Sequence, residues 1–282
     1  MKTLKILSLL TIAFLLISCT FIADFPIERT GDTETVEINE AFDSGSEPTS
    51  VKIEMGGGTL NLLGGTDLLV EGEVNYNFHT LQPTVSRTGN EVTISQKTKT
   101  TVSLPQGKLI NDWELQLGPM PLALSINTGA YEGRLNLGGL SLTSLSIADG
   151  ASSSRVYFDE PNAVAMSKFT YTTGASDVEL HGLGNANVSE IRFSSGVGNY
   201  LLDFTGENTT DCEVSIKSGV SSLKIIIPEN ARAEVIINGE LSDVDLTGTW
   251  TVENNRYFTG SEGALIRISI DMAVGSLQLV AK

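Results

Sequence analysis

Side chains able to do chemistry are few in this chain, and they are spread out. There are two histidines, His79 and His181, and two cysteines, Cys19 and Cys212. Zinc sites need clustered His, Cys or carboxylates, and neither histidine stands at a metal-like spacing. His181 sits in Leu180-His-Gly-Leu-Gly184 and reads as a solvated turn residue. No Gly-x-Ser-x-Gly marks a serine nucleophile. Gly56-Gly-Gly58 lacks the lysine and the helix of a phosphate loop. Asp243 and Asp245 alternate along one strand and read as its polar side rather than a calcium site. Arg155, Arg192 and Lys224 are scattered among carboxylates on an outward face, without the converging pair that a glycosidase needs. We therefore assign no catalytic residue, no metal ligand and no cofactor, and we expect a non-enzyme. The ligand-binding residues stay unknown at this point. Trp250, Tyr257 and Phe258 read as a cover for a core end rather than a sugar platform. Cys212 precedes a strand and reads as a small buried hydrophobe.

Cys19 is different. Lys2 and Lys5 precede a mostly apolar run over residues 6–17, which is too short to span a membrane. Leu16-Ile-Ser-Cys19 follows. Residues 1–18 therefore read as a signal peptide, and the ending resembles the bacterial lipobox. That resemblance implies an acylated Cys19 as first residue of the mature chain, and an extracytoplasmic protein held to the cell membrane or outer membrane by lipid. Loss of Lys2 and Lys5 takes the formal charge from −16 to −18. So acidic a chain disfavours nucleic acid and anionic lipid headgroups as partners. With Cys19 used, Cys212 has no internal disulfide partner. Residues 19–49 are acidic and poor in apolar anchors, and read as a flexible tether. Within them Thr35-Val-Glu-Ile38 has the alternation to pair with a sheet edge.

The elements that would position any site are short alternating strands at a constant period. First strands start at Leu124, Leu145, Phe169, Ile191, Val214 and Val235. Second strands start at Leu135, Val156, Val178, Tyr200, Leu223 and Val244. Between them lie Gly129, Gly150, Gly174, Gly196, Gly219 and Gly239, the last followed by Glu240 where the others have a small apolar residue. Alternation puts one face inside and one in water. Two short strands and two turns in about 22 residues match one rung of a β-solenoid, whose rungs must stack to bury their apolar sides. Val51 to Leu62 and Ile268 to Leu279 fit the same template. The expected fold is all-β, a single-chain solenoid over 122–282 with a C-terminal cap, preceded by an antiparallel β cap over 50–121. Within that cap Gly89-Asn90 marks a hairpin, and 98–111 reads as a mobile loop.

Met55-Gly-Gly-Gly-Thr-Leu-Asn-Leu62, Leu69-Val-Glu-Gly-Glu73, Asp112-Trp-Glu-Leu-Gln-Leu117 and Thr128-Gly-Ala130 resemble the toast-rack family of bacterial surface proteins. That family is similar in turn to the putative adhesins and to C-terminal domains of cell-wall-active-antibiotic response proteins. The resemblance covers roughly residues 50–225. It implies an extracytoplasmic β-solenoid of unsettled function, with no catalytic residue to carry over. The long strand faces, which present a ladder of polar side chains, point to a binding or scaffolding role with an envelope protein or a glycan as partner. An accessory role in envelope-stress response and a polysaccharide-active enzyme are the alternatives.

Overall fold

The computed structural model describes residues 27–42, 49–96, 104–238 and 243–282. The signal peptide, Cys19, much of the expected tether, part of the 98–111 loop, Gly239 and Glu240 lie outside the described residues. In chain order the strands are β1 (Ile27–Arg29), β2 (Glu34–Glu40), β3 (Thr49–Gly64), β4 (Val70–Tyr76), β5 (Pro83–Thr88), β6 (Glu91–Gln96), β7 (Leu104–Gln106), β8 (Asn111–Leu117) and β9 (Leu122–Asn136). There follow β10 (Leu142–Tyr157), β11 (Lys168–His181), β12 (Glu190–Asp203), β13 (Cys212–Ile227), β14 (Ala231–Ile237), β15 (Asp243–Thr247), β16 (Thr251–Glu253), β17 (Arg256–Thr259) and β18 (Glu262–Ala281). The only helical pieces among the described residues are two 3-10 turns, His79–Leu81 and Leu183–Ala186.

The expected all-β solenoid is present. Each rung is one strand bent in the middle, with two arms, and successive rungs pair in parallel along both arms. Phe169 stands beside Ile191 on the first arm, and Val178 beside Tyr200 on the second. The inward residues of both arms form one continuous core. It includes an aromatic run through Phe158, Phe169, Tyr171, Phe193 and Tyr200, with successive ring centroids 5.1–6.5 Å apart.

The bend explains the periodic glycines. A Cβ on Gly174 would lie 2.4 Å from the Gly150 carbonyl oxygen, and one on Gly196 would lie 2.5 Å from that of Gly174. The glycines are therefore required by the approach of rung to rung, which leaves no room for a methyl group. The small residues after them, from Ala130 through Val197 and Val220, line up as an exposed column along the corner.

Rung order departs from chain order at both ends. Spatially the sequence is β6 with β8, then β3, β9, β10, β11, β12, β13, β18, and finally β14 with β15. The Val235–Val244 rung was expected to follow β13. Instead β18 lies against β13, and β14 and β15 stack outside it as separate arms. The register also moves one glycine. Gly275 stands opposite Ser221, while Met272 and Val274 face Ser218 and Val220, so Ala273 takes the corner position expected for Gly275. The amino-terminal end has the same plan, since β3 is covered by β6 on one arm and β8 on the other.

Antiparallel strands close these ends. β5 pairs with β6 through the Gly89-Asn90 turn, and β4 joins β8 to β2. At the other end β17 and β16 cover β14. β2 comes from the stretch expected as a free tether, and its Ile38 is fully buried. The pairing anticipated for Thr35-Val-Glu-Ile38 holds. Part of the expected 98–111 loop forms β7, which pairs with β1.

Candidate functional site

The constant register places outward residues of successive rungs side by side, and this assembles what sequence distance hides. On the second arm Arg134 lies opposite Arg155, and Arg155 opposite Glu179, while Tyr157 lies opposite His181. The Tyr157 and His181 rings stack at 5.0 Å with 8° between their planes, and the Arg134 guanidinium sits 5.6 Å from the Tyr157 centroid. Glu179 ties the group together. One carboxylate oxygen is 2.9 Å from His181 Nε2, and the other is 3.4 Å from Arg155 Nε.

His181 is thus half-buried at the end of β11 rather than a solvated turn residue. The expectation of no local cluster on the outward face is also corrected. Arg155 and Lys224 share the second arm, and a shallow depression of about 400 Å³ beside the cluster is lined by Arg155, Asp177, Glu179, Asn199 and Lys224. Arg192 belongs to the other face, on the first arm of β12, where it pairs with Glu190. The period carried a signal for this cluster, because Arg134, Tyr157 and His181 are one rung apart.

A larger depression, about 620 Å³, lies where β3 and β9 end, and is lined by Asp67, Asp159, Glu160 and several glycines. Its charge is wholly acidic. Among the described residues no group of three His, Cys, Asp or Glu is arranged to hold a metal ion. His79 pairs with Glu28 at 3.1 Å.

Two further groups are structural. Asp149 is buried at the inner corner of β10, where it accepts hydrogen bonds from Tyr171 (3.0 Å), Ser176 (3.1 Å) and Thr173. Burial raises the Tyr171 hydroxyl well above the ordinary tyrosine value and keeps it a donor. Trp250 and Tyr257 pack on the core, and the Trp250 indole N–H donates to the Thr247 carbonyl at 3.0 Å. These two aromatics cover the end of the stack.

Cys212 is buried, and burial pushes its thiol from 9.0 up to about 12. In a chain starting at residue 20, native protein at pH 8 should leave this thiol unalkylated by iodoacetamide, while unfolded chain reacts readily. Equal rates in the two states would overturn the assignment. The sign of the pH effect follows. Between pH 9 and 12 the unfolded thiol loses its proton and the folded one keeps it, so this contribution to stability is full below pH 9 and falls as pH rises.

Comparison with known proteins bears on the fold. A family model described as the N-terminal domain of toast_rack, DUF2154, matches residues 26–167 and 161–226, together more than half of the chain. No curated protein matches the sequence. Among solved structures, a putative cell adhesion protein from Clostridium sporogenes is 18% identical, with 89% of this chain and 99% of that one covered and a TM-score of 0.48. A putative adhesin from Bacteroides fragilis is 12% identical over 89% and 99%, at 0.37. A putative lipid binding protein from Parabacteroides distasonis is 11% identical over 89% and 98%, also at 0.37.

Proposed function

The chain belongs to the toast_rack family, and from that premise we propose that it is a lipid-anchored bacterial surface protein that binds a polar envelope polymer, a glycan first, along its second-arm face. The observation that carries this reading is the Arg134–Tyr157–His181–Glu179–Arg155 cluster. Its side chains are held by one another on a rigid stack, so little rotamer freedom is lost when a ligand binds. Neighbouring rungs repeat at about 4.8 Å. A polymer lying along the stack therefore meets guanidinium, phenol, imidazole and carboxylate groups at regular intervals. The lipid anchor at Cys19 would keep this face at the cell surface.

The test is retention of the chain from residue 20 onward on purified cell-wall polysaccharides, in parallel with solubilised envelope proteins. Wild type should be retained on a polysaccharide, and Arg134→Ala combined with Tyr157→Ala should weaken retention about tenfold, the worth of one good cation and hydrogen-bond contact. Retention unchanged in the double variant would remove the cluster from the site. Capture of a membrane sensor kinase instead would favour the envelope-stress alternative.

A further inference from the structure

β1 and β7 form a two-stranded parallel ribbon apart from the main sheet. Ile27 pairs with Leu104, and Arg29 with Gln106. Ile27 is 70% exposed and Leu104 48%, so two large apolar side chains lie side by side in water. Side chains alternate along a strand, which puts Glu28 on the opposite face from Ile27 and Arg29. Glu28 is the residue that meets His79, in the 3-10 turn after β4. The face carrying Ile27, Arg29 and Leu104 therefore looks away from that contact.

The ribbon is built into the fold. The Thr30 N–H donates to the Gln106 carbonyl at 3.2 Å, and the Gly31 N–H to the Asn77 carbonyl at 2.8 Å. The buried Asn77 side chain donates to the Lys108 carbonyl and accepts from the Ile110 N–H, both at 2.8 Å. Leu109, just beyond, is 40% exposed. Ile27 and Leu104 thus share a face with Arg29, and Lys108 follows two residues after β7, in a chain whose formal charge is −16.

The course of the chain names what covers this patch. Ile27 is eight residues after Cys19, and eight residues span at most about 28 Å when fully extended. A lipid on Cys19 would hold the ribbon within that distance of the bilayer. We propose that the β1–β7 ribbon docks on the membrane that holds the anchor. Ile27 and Leu104 enter the headgroup boundary, and Arg29 and Lys108 meet anionic headgroups. The proposal rests on the lipid-anchored reading and deepens it. Docking also fixes the direction in which the stack leaves the surface.

The test uses the chain from Cys19 onward with a diacyl maleimide coupled to its Cys19 thiol, so that anchoring does not depend on the cell; the buried Cys212 is spared. The protein is bound to phosphatidylglycerol–phosphatidylcholine vesicles with plain or brominated acyl chains. Emission added by Ile27→Trp should fall at least twofold in the brominated vesicles, whereas emission added by Val197→Trp, on β12 in mid-stack, should not change. Adding Arg29→Glu and Lys108→Glu to the Ile27→Trp chain should restore most of the lost emission. Absence of quenching at position 27, or equal quenching at 27 and 197, would overturn the docking. The mass of the amino-terminal peptide from cells tests the anchor separately. An unmodified Cys19 there would sink the lipid-anchored reading and leave the vesicle result standing.

Discussion

Asp149→Ala should cost the fold about 3 kcal/mol, the upper end of the usual range for a single substitution. The carboxylate accepts from the Tyr171, Thr173 and Ser176 hydroxyls inside the corner of the stack. Removing it leaves three buried donors short of an acceptor. Each unsatisfied buried polar group costs on the order of 1–3 kcal/mol, reduced where hydroxyls re-pair with one another. Thr173 and Ser176 are 2.5 Å apart and are able to do so. The Tyr171 side chain is fully buried, so its hydroxyl cannot turn to water for a replacement acceptor. Asp149→Asn keeps an acceptor oxygen and should recover about half of the loss. Urea unfolding of the three proteins checks this, with equal midpoints for Asp149→Ala and wild type as the result that refutes it.

The solenoid was legible in sequence because stacking imposes it. Every rung must place its inward residues on those of the next, so chain length per rung hardly varies and the apolar alternation recurs in phase. Val178 and Leu180 show it as plainly as Leu223 and Ile225. Rung order was not legible, because any alternating arm can pair with any other through backbone hydrogen bonds alone. Ile268-Ser-Ile270 and Val235-Ile-Ile237 offer β13 nearly the same inward face, and nothing local says which of them touches it. Asp149 was hidden for a different reason. An Asp before a Gly reads as a turn residue, and only the inward direction set by the bend makes it a buried acceptor. Arg134, Tyr157 and His181 lay one period apart in view, yet their contact depends on register to the residue. The β1–β7 ribbon joins segments more than seventy positions apart with no periodic relation between them.

A chain ending at residue 261 should lose the folded carboxy-terminal part of the stack, an effect on the order of 10 kcal/mol. If rungs followed chain order, β18 would be the outermost layer, and its removal would merely expose the rung beneath. In the observed order β18 lies between β13 on one side and β14 with β15 on the other. Its Ile266, Ile268, Ile270, Met272, Leu277 and Leu279 are all 0–1% exposed. Burying each such side chain is worth about 1.5–3 kcal/mol, comparable in sum with the whole stability of an ordinary domain, about 5–15 kcal/mol. Without β18, β14 and β15 lose their parallel partner, and the β16–β17 hairpin has no rung to close. Repeat stacks unfold by neighbouring units, so β9 to β11 should keep slow amide exchange while β13 to β17 exchange at the rate of an unfolded chain. Deleting the β16–β17 hairpin alone should leave β13 and β18 protected. Hydrogen exchange on the two truncated proteins separates the cases. Protection of β14 persisting in the chain that ends at 261 would mean that β14 can pair directly with β13, and that the inserted position of β18 is not needed to hold that end of the stack.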